Sequence, residues 1–451
     1  MAIFFPLSYR AHAYSLLTHE QLIDLSWQDS IVPLLLSHYP TLTAAQLEQA
    51  RAYAYGGCVI QDIGYYPFGD KEFSNLTHYV RSGDFVVNLF RDASNADELA
   101  FAAGALSHYV GDSFGHAEAT NIAVPVEFPE LRSRYGPVVN FAEGTRQHVQ
   151  VEFAFDIDQI AHHRMAPLRF LRRVGLQVPL KQLSLAFYQT YGLAEDFTGR
   201  RSRINVKAYR FAVHSFIPRV AYALTLLHRH SEVGDPSTPE ALEIEQDAAA
   251  VASQNGWQAY RRKAGIGTYA LAGLIFVLPK FGPLKMVAIK GPTAATEAEY
   301  MRSVFLSMAD LRRRLARFTP PLAARQAKAA QPTDDPPGAK SNALPAEAQR
   351  HPLPNRDLDT GLVVQPGGYS LTDSTYAHLL HMLALHPSKA IPPGIKEDIL
   401  AYYANPDAPI STRKNPAQWA QVQADLATLA TMRTSTEPKP YPTYGDSDTE
   451  P

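Results

Sequence analysis

His108-Tyr109-Val110-Gly111-Asp112-Ser113-Phe114-Gly115-His116 decides how this chain is read. Two imidazoles and a carboxylate recur every four residues, inside a segment (Asp97 to Thr120) that reads as helix. Residues at i, i+4 and i+8 stack along one helical face, so the three side chains share a side. Ala102, Ala103, Gly104, Ala105, Val110 and Gly111 around them are small or apolar, which predicts a packed helix rather than a solvated one. The chain has 16 histidines, so some His/Asp coincidences carry no meaning, and a lone helical His is usually structural. Burial changes that balance. Unpartnered polar groups cost a few kcal/mol when buried, and a metal ion partners all three at once.

A second pair at the same spacing, His148 and Glu152, lies in the helical segment Gly144 to His163. Two facing helices with such residues turned inward can hold a metal cluster. Upstream, Thr18-His19-Glu20 opens the first helix, Asp62 follows Gly56-Gly57-Cys58-Val59-Ile60-Gln61, and His78 follows a loop. In chain order the candidate ligands are His19, Asp62, His78, His108, Asp112, His116, His148 and Glu152.

The 451 residues suffice for two or three domains, and 46% hydrophobic with 19% charged content suits a globular protein with a real core. A net charge of -2 gives no long-range pull on nucleic acid or anionic membrane. A single cysteine, Cys58, excludes a disulfide framework and a Cys-rich zinc site within one chain. Any zinc must therefore be held by His, Asp, Glu and backbone groups. At the N-terminus a short apolar run (Ala2 to Leu7) precedes Ala11-His12-Ala13, an A-x-A cleavage pattern. Residues 1–13 read as a signal remnant, which implies a periplasmic or secreted protein; without processing the protein is cytoplasmic. No run reaches the roughly 20 apolar residues of a membrane-spanning helix.

Residues 14–235 read as one helical body. Thr43 and Gln46 form a capping box, Asn95 or Asp97 caps the long helix, and strands are not expected because β-branched alternation is scarce. The segment between Gln61 and His78, rich in Gly, Pro, Asn and aromatics, reads as an ordered loop. Residues 236–318 read as a helical extension. Its apolar run Tyr269 to Leu278 is expected to pack in the core, with lipid contact as the alternative, and Arg312-Arg313-Arg314 is expected to be a solvated face. A Pro/Ala/Gln-rich flexible linker (319–358), a small helical module (359–434) and a polar, Pro-rich tail (435–451) follow.

The ordered ligand series resembles that of the zinc-dependent phospholipases C, which share an all-helical trinuclear zinc fold with the fungal single-strand nucleases. ALSHYVGDSFGHA (105–117) is similar to the family's H-Y-x-G-D…H-A core, and RQHVQVEF (146–153) to its H-x3-E element. The resemblance covers about residues 14–165. It implies an all-α body with three zinc ions. His78, His108, Asp62 and Asp112 would hold the first, and His116, His148 and Glu152 the second. The third would fall to His19 and a bridging Asp112, with the amine and carbonyl of a mature N-terminal residue, here Tyr14. Asp62 is the candidate catalytic residue, orienting or deprotonating the attacking water. The aromatics Tyr65, Tyr66, Phe68 and Phe73 line a substrate pocket or, more simply, pack. The chain departs from the family in having three residues rather than five between Asp112 and His116, with no Pro there, and in carrying Tyr14 where Trp is common.

The resemblance implies cleavage of a glycerophospholipid to diacylglycerol and a phosphorylated head group, with transient membrane-surface contact and no stable nucleic acid partner. Glu152, where the nucleases use Asp, and the lack of disulfides favour lipid. The alternatives are a single-strand nuclease or nucleotidase on the same cluster, and a non-enzymatic zinc-stabilised helical binding protein.

Overall fold

The computed structural model describes residues 15–195, 197, 199–227, 237–261, 265–277, 289, 291–319 and 353–435. Among them no strand forms, and β pairing is confined to two isolated bridges, Arg356 with Val363 and Ile391 with Thr434. The fold is all-α, as the scarcity of alternating β-branched residues predicts.

Helix α1 (Leu16–Ser26) is started by a carboxylate from far along the chain. Asp156 accepts from the N–H groups of Leu17 and Thr18 at 3.0 Å each and from the Thr18 hydroxyl at 2.7 Å. Such a group satisfies orphan donors and meets the positive end of the helix dipole. It also fixes the position of His19, the next residue. A π turn (Trp27–Ile31) leads into α2 (Val32–His38), and α3 (Ala44–Gly57) opens with the expected Thr43/Gln46 capping box.

The segment between Gln61 and His78 is not simply a loop. A 3-10 turn (Ile60–Tyr65) is followed by α4 (Lys71–Tyr79), which Asp70 caps by accepting from the Glu72 N–H. Phe73, Leu76 and Tyr79, at helical spacing, are all buried. That apolar stripe outweighs the loop-forming composition, which is confined to the turn around Pro67, Phe68 and Gly69.

Helices α5 (Ser82–Asp92) and α6 (Ala96–Gly115) follow, the second capped by Asn95, which accepts from the Glu98 N–H at 2.9 Å. Every residue of α6 from Leu99 to Ser113 is buried. Its small residues let α3 lie against it backbone to backbone: a Cβ added to Gly104 would stand 2.2 Å from the Ala54 carbonyl oxygen, and one on Gly57 2.1 Å from that of Phe101. The helix does not run regularly to Thr120. At His116 it widens into a π turn (His116–Thr120), where the Asn121 N–H reaches back to the His116 carbonyl. Then come α7 (Asn121–Glu127), α8 (Pro129–Tyr135), and α9 (Phe141–Ala161), which bends at Gly144. Helices α10 (Leu168–Val174), α11 (Leu180–Tyr191), α12 (Arg200–Phe211) and α13 (Ile217–Leu227) complete the body.

The extension comprises α14 (Pro239–Gln254), α15 (Trp257–Tyr260), α16 (Ile266–Val277) and α17 (Ala294–Phe318). Two expectations fail here. Arg314 is buried, not solvated: its Nε lies 2.5 Å from Asp310 and its guanidinium over the Tyr109 ring, while Arg312 pairs with Asp29 and Asp247 at 2.9 Å each. Asp310, four residues before Arg314 on the same helix, accompanies its burial, whereas the partners of Arg312 come from other elements and only Arg313 stays solvated. Conversely, α16 is not core. Ala272 and Ile275 face the body, but Ile266, Tyr269, Leu274, Phe276 and Val277 are exposed.

The C-terminal module holds α18 (Ser370–Ala384), α19 (Ile395–Tyr402) and α20 (Pro416–Thr431). Its buried apolar residues, from Leu353 to Met432, join the same hydrophobic cluster as the body. A strap, residues 353–369, runs over the body before α18. Its first residues, 353–358, are not flexible linker as their composition predicts, but are hydrogen-bonded to the body through Pro354 and Arg356. Residues 320–352 of that linker, residues 1–14 and residues 436–451 lie outside the described residues.

Candidate metal centre

Eight of the nine ligands expected from sequence lie among the described residues, and all eight are buried, none exposing more than 2% of its surface. Tyr14 lies outside them. His108 and Asp112 project from α6, His19 from α1, Asp62 from the 3-10 turn and His78 from α4. Asp112 sits in the middle. Its Oδ1 is 3.2 Å from His19 Nε2, and its Oδ2 is 3.4 Å from His78 Nε2 and 3.2 Å from His108 Nε2. Asp62 Oδ1 is 3.2 Å from His78 Nε2 and 3.8 Å from His108 Nε2. Two donors on one tetrahedral zinc, at bond lengths of about 2.0–2.1 Å, stand roughly 3.3–3.4 Å apart. The donor atoms therefore have the spacing of a coordination shell.

Hydrogen bonding fixes which nitrogens face inward. His78 Nδ1 donates to the Ser74 carbonyl at 2.7 Å and His108 Nδ1 to the Cys58 carbonyl at 3.0 Å. A carbonyl only accepts, so each Nδ1 carries a proton and each Nε2 turns inward, where the neutral ring can give its lone pair to a metal. The two Nε2 atoms face each other at 3.4 Å. In neutral rings, lone pairs so placed repel unless a cation lies between them. The electrostatics of the site draw positive charge, a proton or a metal, to this spot. Burial lowers the pKa of His78, but hydrogen bonds with Asp112 and Asp62 more than reverse this, leaving it well above the usual imidazole value. Burial likewise raises that of Asp112, yet His108, His19 and His78 hold it well below the carboxylate range. The pocket is built for positive charge.

His116, His148 and Glu152 form a separate group, their donor atoms all within 4.8 Å of one another. His148 Nε2 donates to the Val139 carbonyl at 2.8 Å, so Nδ1 faces Glu152 Oε1, 3.9 Å away. Burial lowers the His148 pKa to about 4, which keeps the ring neutral, as a ligand must be. The short Asp112–His116 spacing does not keep these three apart. His108 is less exclusive than expected. It completes one group with Asp62 and His78 and another with His19 and Asp112, its ring stacked on His19 at 4.4 Å.

Of the loop aromatics, Phe73 packs among Phe85, Phe187 and Phe197 and Tyr66 against Tyr209. Tyr65 leans on the His78 ring at 5.8 Å, and Phe68 is exposed.

One residue escaped the sequence reading. Asp359, on the strap, places Oδ1 3.5 Å from His116 Nε2. Its only sequence signal is the turn-like Asp357-Leu358-Asp359-Thr360-Gly361, which shows no spacing with ligands two hundred residues upstream. A further group, Asp158, His162 and Glu297, has metal-like spacing, but Arg164, 3.4 Å from Glu297, already supplies it a cation.

Residues 18–195 match the family model described as zinc dependent phospholipase C. That span contains all eight described ligands and excludes Asp359. No curated protein and no solved structure matches the chain.

Proposed function

We propose, from the match of residues 18–195 to the family model of zinc-dependent phospholipase C, a family of phosphoric ester hydrolases, that this protein holds three zinc ions. We further propose that it cleaves glycerophospholipids to diacylglycerol and a phosphorylated head group. The observation that carries the zinc reading is the pair of inward Nε2 atoms of His78 and His108, 3.4 Å apart and ringed by Asp62 and Asp112. In our assignment Asp62, His78, His108 and Asp112 hold one ion, His116, His148 and Glu152 a second, and His19 and Asp112 a third together with Tyr14. When bound, zinc supplies a water ionised near neutral pH and positive charge for the phosphate oxygens. Asp62 orients the attacking water. The backbone carbonyls of Ser74, Cys58 and Val139 keep the histidine rings in the tautomers this needs. Tyr14 acts as a ligand only with a free amine, so the proposal includes export and cleavage after Ala13.

The test uses protein purified from its own host. Intact mass reports the N-terminus, metal analysis the zinc count, and phosphatidylcholine vesicles the release of diacylglycerol. Three bound zincs with cleavage of single-stranded DNA and no action on phospholipid would overturn the lipid reading.

The exposed face of α16 supports a lipid substrate. Its 12 residues are too few to cross a membrane, yet five large apolar side chains face out. We assign it to transient contact with the lipid surface. Burying one such side chain stabilises by about 1.5–3 kcal/mol. Replacing Phe276 and Val277 by serine is therefore expected to weaken vesicle binding by at least about tenfold, leaving zinc content and turnover of a water-soluble phosphodiester unchanged. Equal vesicle binding in a sedimentation assay would sink the assignment.

A further inference from the structure

Asp359 is held in place rather than merely near the centre. Its Oδ2 accepts from the hydroxyls of Tyr79 at 3.0 Å and Tyr369 at 2.8 Å, and its carbonyl accepts from the Asn121 amide at 2.9 Å. Asp357 tightens the turn by accepting from the Asp359 and Thr360 N–H groups. At Gly361, φ is +70° and an added Cβ would lie 2.2 Å from the Ser113 carbonyl oxygen, so the turn sits directly on the end of α6. The rest of the strap is tied down as well. The Leu358 N–H donates to the His78 carbonyl, the Tyr109 hydroxyl to Pro354, and the Ser82 hydroxyl to Arg356. All this leaves one oxygen, Oδ1, directed at His116.

The 3.5 Å between that oxygen and His116 Nε2 is longer than an ordinary N–H···O hydrogen bond. It falls within the 3.2–3.8 Å range that separates the donors around Asp62, His78, His108 and Asp112. A carboxylate with one oxygen anchored by hydrogen bonds and the other presented to a ligand histidine is arranged as metal ligands are. We propose that Asp359 is a metal ligand at the His116 position, supplied by the C-terminal module. The centre is then complete only when the strap is seated, and the zinc-binding unit extends well beyond residue 195. This rests on the zinc reading of the site.

The experiment compares full-length wild type, Asp359→Asn and Asp359→Glu by zinc content after dialysis, by zinc release to a competing chelator, and by zinc-induced stabilisation against heat. D359N is expected to retain one zinc fewer, or to release one at least about 100-fold more readily, with D359E partly restoring it. Tyr369→Phe keeps the carboxylate but removes one anchor. It covers the case in which D359N does not fold, and is expected to ease zinc release by about 10–100-fold. Wild-type zinc content and chelator sensitivity in a folded D359N overturn the proposal. They do so whether hydrolysis is unchanged or rises, and a rise would mean that the carboxylate occupies the place of substrate. A wild type without zinc fails the whole zinc reading, not Asp359 alone.

Discussion

Asp112→Asn is expected to lower phospholipid hydrolysis by at least about a thousandfold and to strip zinc from two of the three donor groups. Asparagine matches aspartate in size, so the packing of α6 survives and the loss is chemical. The two oxygens of Asp112 lie within 3.4 Å of three imidazole Nε2 atoms, those of His19, His78 and His108. The amide removes the negative charge and turns one acceptor into a donor facing nitrogens that must accept metal. Zinc contributes several kcal/mol of transition-state stabilisation. At about 1.36 kcal/mol per tenfold in rate, that is roughly three orders of magnitude. Metal analysis should find zinc retained chiefly at His116, His148 and Glu152. Full zinc content with activity within tenfold of wild type would show that Asp112 does not bridge the two groups.

The reason Asp112 could be singled out from sequence is physical. Helices α6 and α9 turn their chemistry into periodicity, so His108, Asp112, His116, His148 and Glu152 announce themselves at four-residue intervals. His19, Asp62 and His78 carry no such spacing, so residue type alone marks them as candidates and only the resemblance implies which ion each would hold. Where tertiary contact overrides local pattern, the sequence misleads. The loop composition around Gln61 to His78 hid the stripe Phe73, Leu76 and Tyr79, and with it the helix that carries His78. The π turn at His116 depends on how the chain leaves α6 for α7, which no local signal reports. The apolar run of α16 has a core residue's composition, but the body covers only its Ala272 and Ile275 side. Asp359 was least legible of all, because a strap has no period and its partners Tyr79, Asn121 and His116 are far away in the chain.

Gly104→Ala tests the frame on which the centre is built, and the sign of the effect decides the outcome. In a helix interior, Ala is favoured over Gly by about 0.8–1.0 kcal/mol. A loosely covered α6 would therefore be stabilised by the change. In this structure the added methyl would stand 2.2 Å from the Ala54 carbonyl oxygen and 2.9 Å from both the Cys58 nitrogen and the Gly57 Cα. All three are backbone atoms of α3 or its end, so no side chain can swing aside. Relief requires α3 to withdraw by more than about 1 Å to reach ordinary contact distance. Overpacking of this kind costs typically 1–3 kcal/mol and occasionally more, and the backbone clash puts Gly104→Ala at the upper end, about 3 kcal/mol. The damage should reach the metal as well. The Cys58 carbonyl that fixes the His108 tautomer leaves with α3, so zinc release should quicken along with the fall in the denaturation midpoint. A variant that unfolds at higher denaturant than wild type would mean that α3 and α6 do not meet at Gly57 and Gly104.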